Sequence, residues 1–242
     1  MKFILYALII LLFPVCVSAQ NGASSADSSR QAIENFTDDW ANLRHYQTEN
    51  EQLAVPESND KRVVFLGSSI FEHWTKHMPE FFSNRNYINR GIAGQISPQL
   101  LIRFQQDVIN LKPKAVIILA GSNDIAGGTG HVSTESIMNN IKSMAELANA
   151  NGIKVIICAY LPVYDYPWRT GLKPADKIID LNRAIKLFAL KNKHTVLDYF
   201  TPFADERNGQ KADLTLDGVH PNAAGYRIMA KITEEAIAKA LR

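Results

Sequence analysis

The rhythm of apolar and polar positions changes at residue 62. From there, short β-rich runs alternate with longer amphipathic stretches: RVVFLG (62–67), NYINRG (86–91), KAVIILAG (114–121), IKVIICAY (153–160) and HTVLDYF (194–200) are the runs. Apolar runs of about four to eight residues suit strands covered on both faces, as in a parallel sheet. Between them the spacing predicts helices near 70–82, 97–111, 133–151 and 174–192, and a last one from Pro221 to Leu241. Pro221 suits a first helical turn, and Gly152 suits the position just past a helix end. This βαβ alternation predicts a doubly wound α/β domain over residues 62–242, with five parallel strands and helices on both faces. Ligands in such sheets bind beyond the carboxyl ends of the strands, where strand order reverses.

Upstream of residue 62 the pattern differs. Lys2 is followed by an almost wholly apolar stretch from Phe3 to Val15, then by the small residues Val17-Ser18-Ala19. This is the form of a secretory signal peptide over residues 1–19, with cleavage near Ala19-Gln20 and a secreted or periplasmic product. The apolar run is shorter than the roughly 20 residues that span a bilayer, so no stable membrane span is expected after cleavage. Cys16 could suggest lipidation, but Phe13-Pro14-Val15 lacks the small residues of a bacterial lipoprotein signal. Residues 20–61 read as a polar lead-in and an N-terminal extension. Within it 20–30 are small and polar, 31–53 look helical with Phe36, Trp40, Leu43 and Leu53 as packing positions, and AVPESNDK closes it.

Composition adds exclusions. The 242 residues are 46% hydrophobic and 21% charged, enough for one sizeable core. Removing residues 1–19 takes away Lys2, so Lys+Arg falls from 26 to 25 against 24 Asp+Glu, a net of +1. A chain so near neutrality, with no basic stripe, gives no electrostatic reason to expect nucleic acid. Cys158 would be the one cysteine left, so no intrachain disulfide is expected.

Candidate chemistry falls at the ends of the predicted strands. The first ends in Gly67-Ser68-Ser69-Ile70, the second in Asn89-Arg90-Gly91-Ile92-Ala93-Gly94, and the third in Gly121-Ser122-Asn123-Asp124. LDGVHPNAAGY, just before the last helix, sets Asp217 and His220 three residues apart. Together these provide a hydroxyl nucleophile, backbone N–H donors, an amide donor, a base and a carboxylate to orient it, the parts needed for acyl transfer through serine. Taken singly, each residue has an ordinary role: Ser69 as a helix cap, Gly94, Asn123 and Asp217 as turn residues, His220 as a polar residue at a helix start. Capping needs do not explain four such blocks in order at element boundaries.

These blocks resemble those of the SGNH hydrolases, the GDSL esterase and lipase superfamily, in the right order from residue 63 to about 230. The resemblance implies a flavodoxin-like three-layer α/β/α sandwich with a five-stranded parallel sheet. It also implies a carboxylic ester hydrolase with no metal or other cofactor, exported on the separate reading of residues 1–19 as a leader. By position, Ser69 takes the nucleophile's place, Asp217 and His220 the final pair, and Ser69, Gly94 and Asn123 the oxyanion hole. Ser68 departs from the pattern, standing where the family most often has aspartate, and is the nearest rival nucleophile. The family's substrates include carbohydrate O-acetyl esters, lysophospholipids, aryl esters and thioesters. A lysophospholipase or lipase-type acylhydrolase, acetyl transfer to cell-wall glycan, and an inactive glycan-binding member are the alternatives.

Other features carry less. YLPVYDYPWRTGLKP (160–174) follows the fourth strand and offers Tyr164, Tyr166, Trp168 and Arg169 as a wall of the substrate site. Such a wall fits a small acyl group on a sugar or similar alcohol. Trp74 suits the core. His73 and His77 have the spacing of two ligands on one helical face, but without a carboxylate or cysteine cluster they read as exposed helix residues, and no metal is expected. GGTG (127–130) lacks the ending of a P-loop and reads as a flexible loop, and Asn35-Phe36-Thr37 is a glycosylation acceptor only in a eukaryotic source.

Overall fold

A computed structural model of the chain describes residues 39–57, 59–83 and 86–242. The expected leader 1–19, the lead-in from 20 to 38, and the Asn35 triplet lie outside these residues. Helix α1 is Gln47–Gln52, followed by strand β1 (Val63–Gly67) and helices α2 (Ser69–His77) and α3 (Glu80–Ser83). Strand β2 (Tyr87–Gly91) leads to α4 (Ser97–Ile102), α5 (Phe104–Asp107) and a 3-10 turn at Ile109–Leu111. Then come β3 (Ala115–Ile118), α6 (Ser122–Ile125), α7 (Thr134–Ala150), β4 (Lys154–Ala159), α8 (Ala175–Asn192), β5 (Thr195–Asp198), α9 (Phe200–Phe203) and α10 (Ala223–Ala240). Among the described residues no helix is long and apolar enough to cross a membrane.

The five strands form one wholly parallel sheet in the order β2-β1-β3-β4-β5. This is the expected α/β fold, a parallel sheet flanked by helices. All of β1 and β3 is buried, which is why their sequences are unbroken apolar runs. The chain leaves β1 for β2 on one side and then crosses to β3 on the other. The strand order therefore reverses between β1 and β3, opening a crevice at their carboxyl ends. Right-handed crossovers put α2 on one face and α7 and α8 on the other. Helix α10 returns to the first face, where Tyr226 stacks on Trp74 at 5.5 Å between ring centroids. Trp74 is fully buried, as expected, between Tyr226 and Phe81.

Several expected helices are shorter or broken. The span 70–82 splits at Met78, because the residue before Pro79 is pushed out of helical conformation; Met78 has φ −153° and ψ 64°. The span 97–111 breaks at Arg103, whose side chain is buried in the network described below, and again at Val108, which has φ −128° and ψ −66°. Of 31–53, the described part is turns followed only by α1. Pro221 lies outside the last helix, bridged to Thr215, and Asn222 caps that helix by accepting from the N–H groups of Ala224 and Gly225. Gly152 does sit past α7 with φ +69°.

Candidate active site

The crevice at the carboxyl ends of β1, β2 and β3 is a cleft of about 450 Å³ lined by Ser69, His73, Gly94, Asn123, Trp168 and His220 among others. Each element delivers its side chain for a local reason. β1 runs into α2 through Gly67 and Ser68, so Ser69 is the first residue of the helix and its N–H is one of the helix-start donors with no intrahelical partner. β2 ends at Gly91, where a Cβ would fall 2.3 Å from the backbone nitrogen of Glu72, so only glycine lets the strand end pass α2. The chain then turns through Ile92 and Ala93 to Gly94, which has φ +77° and stands exposed at the cleft. After β3, the Asn123 amide donates to the carbonyl of Gln95 at 2.9 Å, holding it beside Gly94 with a second N–H to spare.

His220 sits 151 positions from Ser69 in sequence, yet Ser69 Oγ lies 2.9 Å from His220 Nε2. The Tyr226 hydroxyl donates to the Ile70 carbonyl at 2.8 Å, locking the start of α10 to the start of α2. The loop before α10 is knitted to present the imidazole. The Thr215 hydroxyl donates to the His220 carbonyl at 2.9 Å and accepts from the Gly218 N–H at 2.9 Å. Asp217 Oδ2 accepts from His220 Nδ1 at 2.8 Å, while Oδ1 accepts from the N–H groups of Val219 and His220 at 2.9 and 2.7 Å. Partial burial pushes the Asp217 carboxyl up, but the hydrogen bonds from His220 and Val219 outweigh it and hold it below the usual value. An ionised Asp217 fixes the tautomer with the proton on Nδ1 and leaves Nε2 to accept from Ser69.

His220 is flanked on both sides. The His73 ring lies 5.2 Å away and the Trp168 ring 6.0 Å away, centroid to centroid. Against the expectation that His73 and His77 are both exposed, His73 is half-buried in the cleft and only His77 is exposed, stacked on Tyr226. Burial pulls the His73 imidazole below its usual range, and neighbouring His220 adds to this. Among the described residues no group of three or more His, Cys, Asp or Glu could hold a metal ion.

The aromatic loop divides. Trp168 is 54% exposed at the cleft, and Arg169 lines it while donating to the carbonyls of Ala126 and Gly127 at 2.5 and 2.8 Å. Tyr166, expected at the substrate wall, is wholly buried, its hydroxyl donating to the Ser122 carbonyl at 2.9 Å, and so anchors the loop to the core. Tyr164, also expected there, faces a separate hollow with Arg207 over its ring. Ser68 is 4% exposed and lies near the Tyr160 hydroxyl, which burial pushes up to about 12. It therefore faces the core rather than the cleft.

The family profile for GDSL-like lipases and acylhydrolases matches residues 65–228, more than half of the chain. The chain belongs to this family. It is 46% identical to a GDSL-like lipase from Bacteroides thetaiotaomicron whose crystal structure it matches with a TM-score of 0.81, over 83% of this chain and 99% of that one. A protein from Bacteroides fragilis, provisionally described as an acylhydrolase, is 44% identical with a TM-score of 0.83, over 84% of this chain and 99% of that one. An acetyl xylan esterase shares the fold at 22% identity and a TM-score of 0.61, over 72% of this chain and 98% of its own. Among curated proteins, an uncharacterized lipoprotein of Bacillus subtilis (strain 168), YqeF, is 34% identical over 85 residues, which span 34% of this chain and 35% of that relative's length.

Proposed function

We propose that this GDSL-family chain is an exported serine esterase that cleaves carboxylic esters through an acyl-enzyme on Ser69. One observation carries this reading: Ser69, His220 and Asp217 form a single hydrogen-bonded chain that opens into the cleft beside Gly94 and Asn123. Ser69 Oγ attacks the ester carbonyl carbon as His220 Nε2 takes its proton. The tetrahedral oxyanion accepts from the N–H groups of Ser69 and Gly94 and from the Asn123 amide. As the C–O bond to the alcohol breaks, His220 returns the proton to the leaving oxygen. Water, deprotonated by the same imidazole, then attacks the acyl-enzyme, releasing the acid and restoring Ser69.

The substrate is a small acyl ester of a sugar or similar alcohol. Ala93, Gly94, Ala126 and Gly128 keep the cleft walls small, and the exposed face of Trp168 beside His220 offers a flat platform where the leaving alcohol must depart. Export is supported by the leader-like pattern of residues 1–19 and by the description of the Bacillus subtilis relative as a lipoprotein. Hydrolysis of p-nitrophenyl esters of increasing chain length tests the substrate. Acetate should be preferred and Ser69→Ala inactive; a strong preference for long chains would overturn the small-acyl reading, and an active Ser69→Ala the serine mechanism.

A further inference from the structure

Beneath the cleft lies a charged group that sequence spacing did not single out. Arg103 sits at the break between α4 and α5, and its side chain is wholly buried. A buried guanidinium is tolerable only when its donors are satisfied, and here they reach four acceptors, three of them on segments that lead into the crevice. Nη2 donates to the carbonyl of Gly67, at the end of β1, at 3.0 Å and to that of Arg90, near the end of β2, at 2.7 Å. Nε donates to Gln95 Oε1 at 2.6 Å, and Nη1 to Asp107 Oδ2 at 2.9 Å. The backbone carbonyl of that same Gln95 receives the Asn123 amide. One cation thus ties together the segment leading to Ser69, the strand leading to Gly94, and the loop that holds Asn123.

The N-terminal segment, outside the family match at 65–228, grips the same network from behind. Asn50 donates to Asp107 Oδ1 at 2.7 Å and accepts from Arg90 Nε and Nη2 at 2.9 and 2.7 Å. The Tyr46 hydroxyl donates to the Gly91 carbonyl, and the Gln95 amide to the Ala41 carbonyl at 2.8 Å. Every bond in this set ends on Gly67, on Asp107 or on residues 89–95. Arg103, Asn50, Tyr46 and Gln95 do not line the cleft, so the network shapes the site through the backbone and the Asn123 amide it holds.

We propose that the Arg103 guanidinium, braced by Asn50 and Tyr46 of the N-terminal segment, positions the Gly94–Gln95 loop against Ser69 and Asn123, and is a positioning residue for the oxyanion pocket. It rests on the serine-esterase reading. Lysine can replace the charge but not the planar fork that reaches four acceptors at once. A shift of about 1 Å in such a support can cost about 10²-fold in rate.

Kinetics of Arg103→Lys and Asn50→Ala in the full chain, with thermal unfolding and binding of a boronic-acid transition-state analogue, test it. The expected result for Arg103→Lys, folded at the assay temperature, is a kcat about 10²-fold lower with KM within about threefold, and analogue affinity weakened in parallel. Asn50→Ala should follow with a smaller loss of the same kind, and carries the test alone if Arg103→Lys does not fold. Unchanged kcat in the folded variants, or a loss confined to KM, would overturn the proposal. Failure of the parent chain to hydrolyse esters would instead overturn the esterase reading.

Discussion

Ser68 and Ser69 are adjacent in sequence but serve opposite sides of the β1–α2 junction. Ser69 meets His220 Nε2 at 2.9 Å in the cleft, whereas Ser68 is 4% exposed and lies near the buried Tyr160 hydroxyl. The strand-to-helix turn separates two side chains that a motif alignment can only rank. The position where relatives most often carry aspartate here joins a buried hydroxyl seam that also includes Ser122 and Tyr166.

Ser68→Ala should therefore keep its activity within a few-fold while losing no more than about 1 kcal/mol of stability, the scale of one buried polar contact. Denaturant unfolding beside p-nitrophenyl acetate kinetics checks both halves. A dead but fully stable Ser68→Ala would reverse the assignment of the two serines.

Asp217→Asn should lower kcat by about 10⁴-fold with little change in KM, because the amide donates to Nδ1 and leaves the imidazole in the wrong tautomer. Steady-state kinetics across pH measure it. Retention of more than a tenth of the activity would show that another group orients His220.

Asn123→Ala should cost about 10²- to 10³-fold in kcat, the usual loss for one oxyanion donor, and should leave phosphonylation of Ser69 detectable. Its second effect is on Gln95, whose carbonyl loses a partner. A change in KM alone would place Asn123 on the ground-state substrate instead.

The fold was readable from residue 63 onward because strands covered on both faces appear as unbroken apolar runs, as VVFLG and AVII do. The strand-end blocks were readable because a glycine at a close approach, such as Gly91 against Glu72, leaves a sequence trace. Tyr166 and Tyr164 were not separable from Trp168, since loop residues have no period to say which side faces inward. Arg103 was hidden differently. In LIRFQQDV it has the i, i+4 spacing to Asp107 of an ordinary surface pair, and only tertiary packing turns it into a buried hub. The burial of His73 leaves no trace in its own helix, because α2 is covered on its cleft side by the loop carrying His220, a segment far away in sequence.

His73 also gives the protein a pH signature. Its folded-state pKa lies below the ordinary 6.5 because burial disfavours the cation, with His220 adding to this; His194 is lowered by burial alone. A depressed histidine leaves stability whole above 6.5. As pH falls below that value the unfolded chain takes up protons first, so stability drops until the folded-state pKa is passed. Groups near His73 include His220, Glu72, Lys76 and His77, of which Glu72 favours its protonation and the others oppose it. Thermal melting between about pH 5 and 7 should show a rising Tm that His73→Gln makes shallower, with the His194 contribution remaining. An identical slope in the variant would remove His73 from this account.

The central claim is that Ser69 is the acylated residue, and covalent trapping tests it most directly. The intact chain treated with a fluorophosphonate and digested should carry the added phosphonyl mass on Ser69 alone, and Ser69→Ala should carry none. Label on Ser68, or no label on the folded intact protein, would contradict it.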